Sequence, residues 1–151
     1  MIVEFDELPK LSQQVAMVDG GFDPLHEGHI VYFQEASIRL KIPLLCNVAS
    51  DKYVSSKHPP LLNENQRALV ISSIRYIDYV HINRLSTEQV LQQLKPRYYV
   101  KGVDWQDKLP IEQVNLCNKL GIEIILLNTM MSSSSSILRN FLYRAAEMGF
   151  S

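Results

Sequence analysis

The sequence predicts an α/β fold, a Rossmann-like parallel sheet with helices on both faces, formed as a single domain. Three observations lead there. Short apolar runs of strand length alternate with stretches of helical spacing, which is how successive strand–helix–strand crossovers read. The residues best suited to chemistry fall in loops after predicted strands, where ligands of open parallel sheets bind. The length, 151 residues, fits one domain with a buried core and leaves no convincing linker for a second.

Residues 1–13 read as an N-terminal extension, and residues 14–151 as the domain. Residues 14–20 form a first strand ending in a glycine turn. From Gly28 to about Lys41, the apolar positions Ile30, Tyr32, Phe33, Ala36, Ile38 and Leu40 suit a helix. Residues 43–49 are a second strand. Residues 50–62, with Ser, Lys, His and two prolines, read as a loop. Asn63 caps a helix in which Ala68, Leu69, Ile71, Ile74 and Ile77 follow at near-helical spacing. Residues 79–82 are a third strand, and Thr87 to Leu94 a short helix. Residues 97–101 are a fourth strand, closed by Gly102. A helix from Pro110 to Leu120 stops at Gly121. Residues 122–127 are a fifth strand, and Ser132 to about Met148 a final helix.

Composition excludes several functions. The 15 basic and 16 acidic side chains leave a net charge of −1, whereas proteins that neutralise a long phosphate backbone carry a basic excess. Nucleic acid is therefore not expected as a partner, while a small anion needs only a few local cations. The acidic N-terminus lacks the apolar stretch of a secretory signal, and no run approaches the roughly 20 apolar residues of a membrane span. No membrane partner is expected, and the protein reads as cytoplasmic. Cys46 and Cys117 lie far apart in apolar contexts, as buried free thiols of a reducing compartment do.

The segment from Gly20 to Ile30 is the most informative. Gly20 and Gly21 permit a tight turn and close approach of a ligand to the backbone. The helix start that follows offers amides and a positive dipole end, a natural phosphate site. His26 and His29 flank Gly28. No Gly-Lys-Ser/Thr follows, so this is not a Walker loop. It lacks the dinucleotide Gly-x-Gly-x-x-Gly pattern, and its histidines are three apart rather than the four of a zinc protease helix. No third metal ligand is evident, and no protein metal site is expected.

The string resembles the His-x-Gly-His signature of the cytidylyltransferase-like nucleotidyltransferase superfamily. The resemblance runs from about Val15 to Leu142. Arg67 with the stretch Ser73 to Val80 looks like the family's helix and strand before the central crossing. Tyr99 to Trp105 is similar to the Val-Lys-Gly-x-Asp-aromatic loop of the sugar- and polyol-phosphate branch. Ser134-Ser135-Ser136-Ile137-Leu138-Arg139 resembles the C-terminal Ser-Ser-Thr-x-Ile-Arg motif.

The resemblance implies transfer of a nucleoside monophosphate from ATP or CTP to a phosphorylated sugar or polyol, with release of pyrophosphate. It implies catalytic roles for His26, His29, Lys57 and Arg139. It implies nucleotide contacts from Gly20, Gly21, Phe22, Asp23, His26, Gly28, His29, Lys101, Gly102, Asp104, Trp105, Ser134, Ser135 and Ser136. Lys57 and Arg67 would meet the acceptor, with Asp23 either orienting these groups or fixing the turn. Mg²⁺ would arrive with the triphosphate, and the family's habit implies a homodimer. The sequence departs from the family at Gly21, where many relatives carry Thr, Ser or Cys, and at His58-Pro59, where heptose-type relatives often have Lys-Gly. The Lys101 loop leans toward an ATP-using heptose 1-phosphate enzyme, and residues 74–78 with Trp105 toward a CTP-using glycerol 3-phosphate enzyme. The alternatives from other classes are a nucleotide-binding module that has lost the chemistry, and a metal-binding module.

Overall fold

Strands form where short runs rich in Val, Ile, Leu and Tyr are bounded by polar or glycine residues. The computed structural model describes residues 1–128 and 133–150. It contains strands β1 (Ala16–Gly20), β2 (Leu44–Ala49), β3 (Tyr79–Asn83), β4 (Tyr98–Gly102) and β5 (Glu123–Leu127). They pair in the order β3-β2-β1-β4-β5, and every pair is parallel. The helices are α1 (Glu27–Leu40), α2 (Asp51–Ser55), α3 (Glu64–Ser72), α4 (Thr87–Leu94), α5 (Ile111–Leu120) and α6 (Ser134–Glu147). This is the Rossmann-like arrangement expected.

Because side chains alternate along a strand, each strand feeds two apolar layers. On one face Ala16, Val18, Cys46 and Val80 pack with Tyr32, Phe33 and Ala36 of α1 and Ala68 and Ile71 of α3. On the other face Val15, Met17, Leu45 and Tyr99 pack with Val90, Leu91 and Leu94 of α4 and Cys117 of α5. Each fully buried Leu or Val stabilises the fold by about 1.5–3 kcal/mol. Cys46 and Cys117 are both buried and free. Among the described residues no helix is long and apolar enough to cross a membrane.

Residues 1–13 lie against the second layer. Leu8, in a 3-10 turn over Phe5–Leu11, is fully buried. The Val3 amide donates to the Val80 carbonyl at 2.7 Å, so this segment covers part of the β3 edge.

Three expectations need adjustment. Residues 50–62 are not all loop, because the Ser50 hydroxyl accepts from the Tyr53 amide and caps the five-residue α2. Asn63 does cap α3, but that helix ends at Ser72. Ile74 and Ile77 reach the core from the turns beyond it, and Leu69 is exposed. A turn of this shape mimics helical spacing. The expected start of the last helix, Ser132, lies outside the described residues; the helix runs from Ser134, capped by Ser133.

The chain steps from β1 outward to β2 and β3, then returns to the other side of β1 for β4. That reversal opens a crevice beyond the carboxyl ends of β1 and β4.

Candidate functional site

The spacing of the two histidines has a local cause. His26 is the N-cap of α1 and His29 its third residue, the positions of a capping box. His26 Nδ1 accepts from the Gly28 amide at 3.1 Å, and His29 Nδ1 accepts from the His26 amide at 3.2 Å. Nδ1 is thus an acceptor in both rings, so each neutral imidazole carries its proton on Nε2. The rings stack with centroids 3.8 Å apart and planes 32° from parallel. Burial, and then the neighbouring His26, lower the His29 pKa to about 4. Near neutrality His29 is therefore an uncharged donor.

The glycines before α1 serve packing. A Cβ on Gly20 would lie 2.9 Å from the ring of Phe22, and one on Gly21 would lie 3.3 Å from a Val54 methyl. Both glycines line the larger hollow, and Gly21 the smaller one as well. Phe22 sits at φ 54°, a left-handed conformation unusual for a bulky residue. Its ring meets His29 edge-on at 5.0 Å and helps fix the imidazole. The buried Asp23 carboxylate accepts from the amides of Leu61 and Leu62 at 2.6 and 3.1 Å. Of its two expected roles, it has that of fixing the turn.

Arg67 is not placed to meet an acceptor. It is 1% exposed. Its guanidinium donates to the carbonyls of Leu62, Gly21 and Ala49 and to the Asp51 carboxylate, at 2.7 to 3.0 Å. It ties the ends of β1 and β2 to α3.

Two adjoining hollows of about 540 and 340 Å³ form the crevice and share Gly21, Phe22, His29, Tyr53, Lys57 and Trp105. Lys57 is exposed, with Nζ 5.0 Å from the Tyr53 ring centroid. The smaller hollow also takes Asp104, Ser134 and Ser135. The Ser134 hydroxyl donates to the Pro24 carbonyl at 2.9 Å, which brings the N-terminus of α6 beside that of α1. The Ser136 amide caps on Ser133, and neither Ser136 nor Arg139 lines these hollows; Arg139 is exposed on α6.

On the β4 side Lys101 pairs with Asp19 at 2.9 Å, both largely buried. Tyr99 donates to the other Asp19 oxygen at 2.8 Å, and burial and the Asp19 charge hold its hydroxyl protonated. Lys101 Nζ also sits 4.2 Å from the centroid of a Trp105 ring. A Cβ on Gly102 would fall on the Asp104 carboxylate, so this glycine makes room for Asp104. Asp19, Asn47, Ser50 and Ser86 line the larger hollow and were not singled out from sequence. A usable signal existed, since Asp19 and Asn47 are polar residues near the carboxyl ends of apolar strands. Among the described residues no group of three or more His, Cys, Asp or Glu is arranged to hold a metal ion.

Comparison with known proteins is consistent with this geometry. A family model described as Cytidylyltransferase-like matches residues 17–141. The Bifunctional protein HldE of Helicobacter pylori (strain G27) is 35% identical over 99 residues, covering 64% of this chain and 21% of that protein. The Bifunctional protein HldE of Aliarcobacter butzleri is 31% identical over 117 residues, covering 71% and 25%. The chain thus spans about a fifth to a quarter of these curated relatives. A crystal structure of the lipopolysaccharide core biosynthesis protein from Thermoplasma volcanium GSS1 aligns with a TM-score of 0.66 and 27% identity, over 78% of this chain and 98% of that one. A protein of unknown function from Archaeoglobus fulgidus shares the fold, at TM-score 0.55 and 21% identity, over 80% and 93%.

Proposed function

The chain belongs to the cytidylyltransferase-like family, and from that premise we propose that it transfers a nucleoside monophosphate from ATP or CTP to a phosphorylated sugar or polyol. A phosphate oxygen of the acceptor attacks the α-phosphorus in line, the bond from that phosphorus to the bridging oxygen breaks, and pyrophosphate leaves. The attacking oxygen is already ionised near neutrality, so no strong general base is needed. The work lies in holding two anions together and stabilising charge on the transferring group.

One observation carries the reading. His29, at the N-terminus of α1 with its proton on Nε2 and the His26 ring against it, lines a crevice shared with Lys57 and the first turn of α6. A neutral His29 donates to a phosphate oxygen through Nε2. On this reading the helix dipoles of α1 and α6 favour the phosphates, and Lys57 reaches across them. Trp105 and Lys101 border the nucleotide. Mg²⁺ would accompany the triphosphate and offset charge on the leaving group. Asp19 already answers Lys101 and Tyr99.

The test crosses ATP and CTP against heptose 1-phosphate and glycerol 3-phosphate with Mg²⁺, and follows pyrophosphate. Release with one pair, abolished in His29→Ala, is the expected result. Nucleotide binding without release for any pair would favour the binding-module alternative.

A further inference from the structure

We propose that Asn47 is a specificity-determining residue whose carboxamide receives the neutral, polyhydroxylated body of the acceptor. This rests on the proposed transfer reaction and assigns one end of its cleft. Asn47 lies in β2, in register with Asp19 of β1 and His81 of β3, so the three side chains share a face of the sheet. It is 1% exposed and lines the larger hollow. Among the described residues neither its Oδ1 nor its Nδ2 has a hydrogen-bond partner. A buried carboxamide without partners costs about 1–3 kcal/mol for each such group, so its retention needs a reason.

The chemistry of the orphaned pair selects the ligand. A phosphate offers only acceptors at its ionised oxygens, and a cation wants only acceptors. A carboxamide presents one acceptor and two donors side by side, which suits hydroxyls, since each gives and accepts. The neighbouring walls have the same character, with Asn83 at the end of β3 and Ser86 and Thr87 at the start of α4. The larger hollow draws its positive charge from Lys101, already paired with Asp19, and from Lys57, on the side shared with the smaller one. Trp105, the indole suited to a base, follows β4 on the opposite side of β1. The acceptor's phosphate therefore sits toward Lys57 and His29, and its hydroxyls extend toward Asn47.

The test titrates heptose 1-phosphate, glycerol 3-phosphate, inorganic phosphate, ATP and CTP into the wild-type protein, Asn47→Leu and Asn47→Ser, with pyrophosphate release followed on the same samples. The wild type should bind at least one organic phosphate more tightly than inorganic phosphate. Both variants should weaken that ligand by about tenfold or more, the effect of losing one or two good hydrogen bonds, and leave nucleotide and inorganic phosphate unchanged. Asn47→Leu should melt no lower than the wild type, because it removes an unsatisfied amide. The proposal fails if the wild type binds neither organic phosphate better than inorganic phosphate, or if the variants bind as the wild type does. It also fails if nucleotide affinity falls equally, or if Asn47→Leu melts lower. Pyrophosphate release unchanged by both variants would remove the subsite and keep the transfer reaction. Asn47-dependent binding without release would do the reverse.

Discussion

Replacing Arg67 by alanine should destabilise the protein without acting on the ligand site directly. The wild-type guanidinium, 1% exposed, satisfies three backbone carbonyls, those of Gly21, Ala49 and Leu62, and pairs with Asp51. Each of these part-buried carbonyls that loses its donor costs about 1 kcal/mol, the low end for an unsatisfied group, because water reaches the space left. Asp51 is 38% exposed and regains solvent, so its share is small. The sum is about 3 kcal/mol, or a fall in Tm of about 6–12 °C for a chain of this size. Thermal unfolding by circular dichroism reads it directly. Arg67→Lys, which keeps the charge but not the fork, should fall between. An alanine variant that melts as the wild type does, but needs far more acceptor for half-maximal rate, would refute this and return Arg67 to the substrate.

Other predictions follow from the same geometry. The His29 pKa lies below its unfolded value, so between pH 6.5 and about 4 the unfolded chain binds the extra proton and stability falls as pH falls. The shift corresponds to about 3 kcal/mol. His29→Gln keeps a capping-box residue at that position, so its Tm should decline less steeply over that window, with a residual slope from His81, whose pKa burial also lowers. Parallel Tm–pH curves for the two proteins would rule this out. Gly20→Ala should force the Phe22 ring away from His29, costing about 1–3 kcal/mol; an unchanged Tm and turnover would show that the ring yields freely. Lys57→Ala, at an exposed position, should leave Tm unchanged and lower kcat by about 100-fold or more, the scale for one group stabilising transition-state charge. Full activity in that variant would remove Lys57 from the mechanism.

The sheet was legible because its signals are local. Apolar runs at Ala16–Gly20 and Leu44–Ala49, the cap at Asn63 and the stop at Gly121 act within a few residues of themselves. The His-x-Gly-His spacing was legible for the same reason, since a capping box spans one turn. What sequence could not show depends on distant partners. Arg67 reads as a contact for the acceptor until β1 and β2 bring the carbonyls of Gly21 and Ala49 to it. Gly20 reads as a turn residue, and only the fold shows Phe22 packed back over it. Asn47 stands out only once the strand register sets it beside Asp19 without a partner.

The central claim is tested most directly by ³¹P NMR of the protein with Mg²⁺, ATP or CTP, and heptose 1-phosphate or glycerol 3-phosphate. Transfer predicts two coupled resonances of a new diphosphate ester rising together with pyrophosphate, in equal amounts, and absent with His29→Ala. Phosphorus spectra that stay unchanged for every pair, from protein that binds the nucleotide, would contradict it.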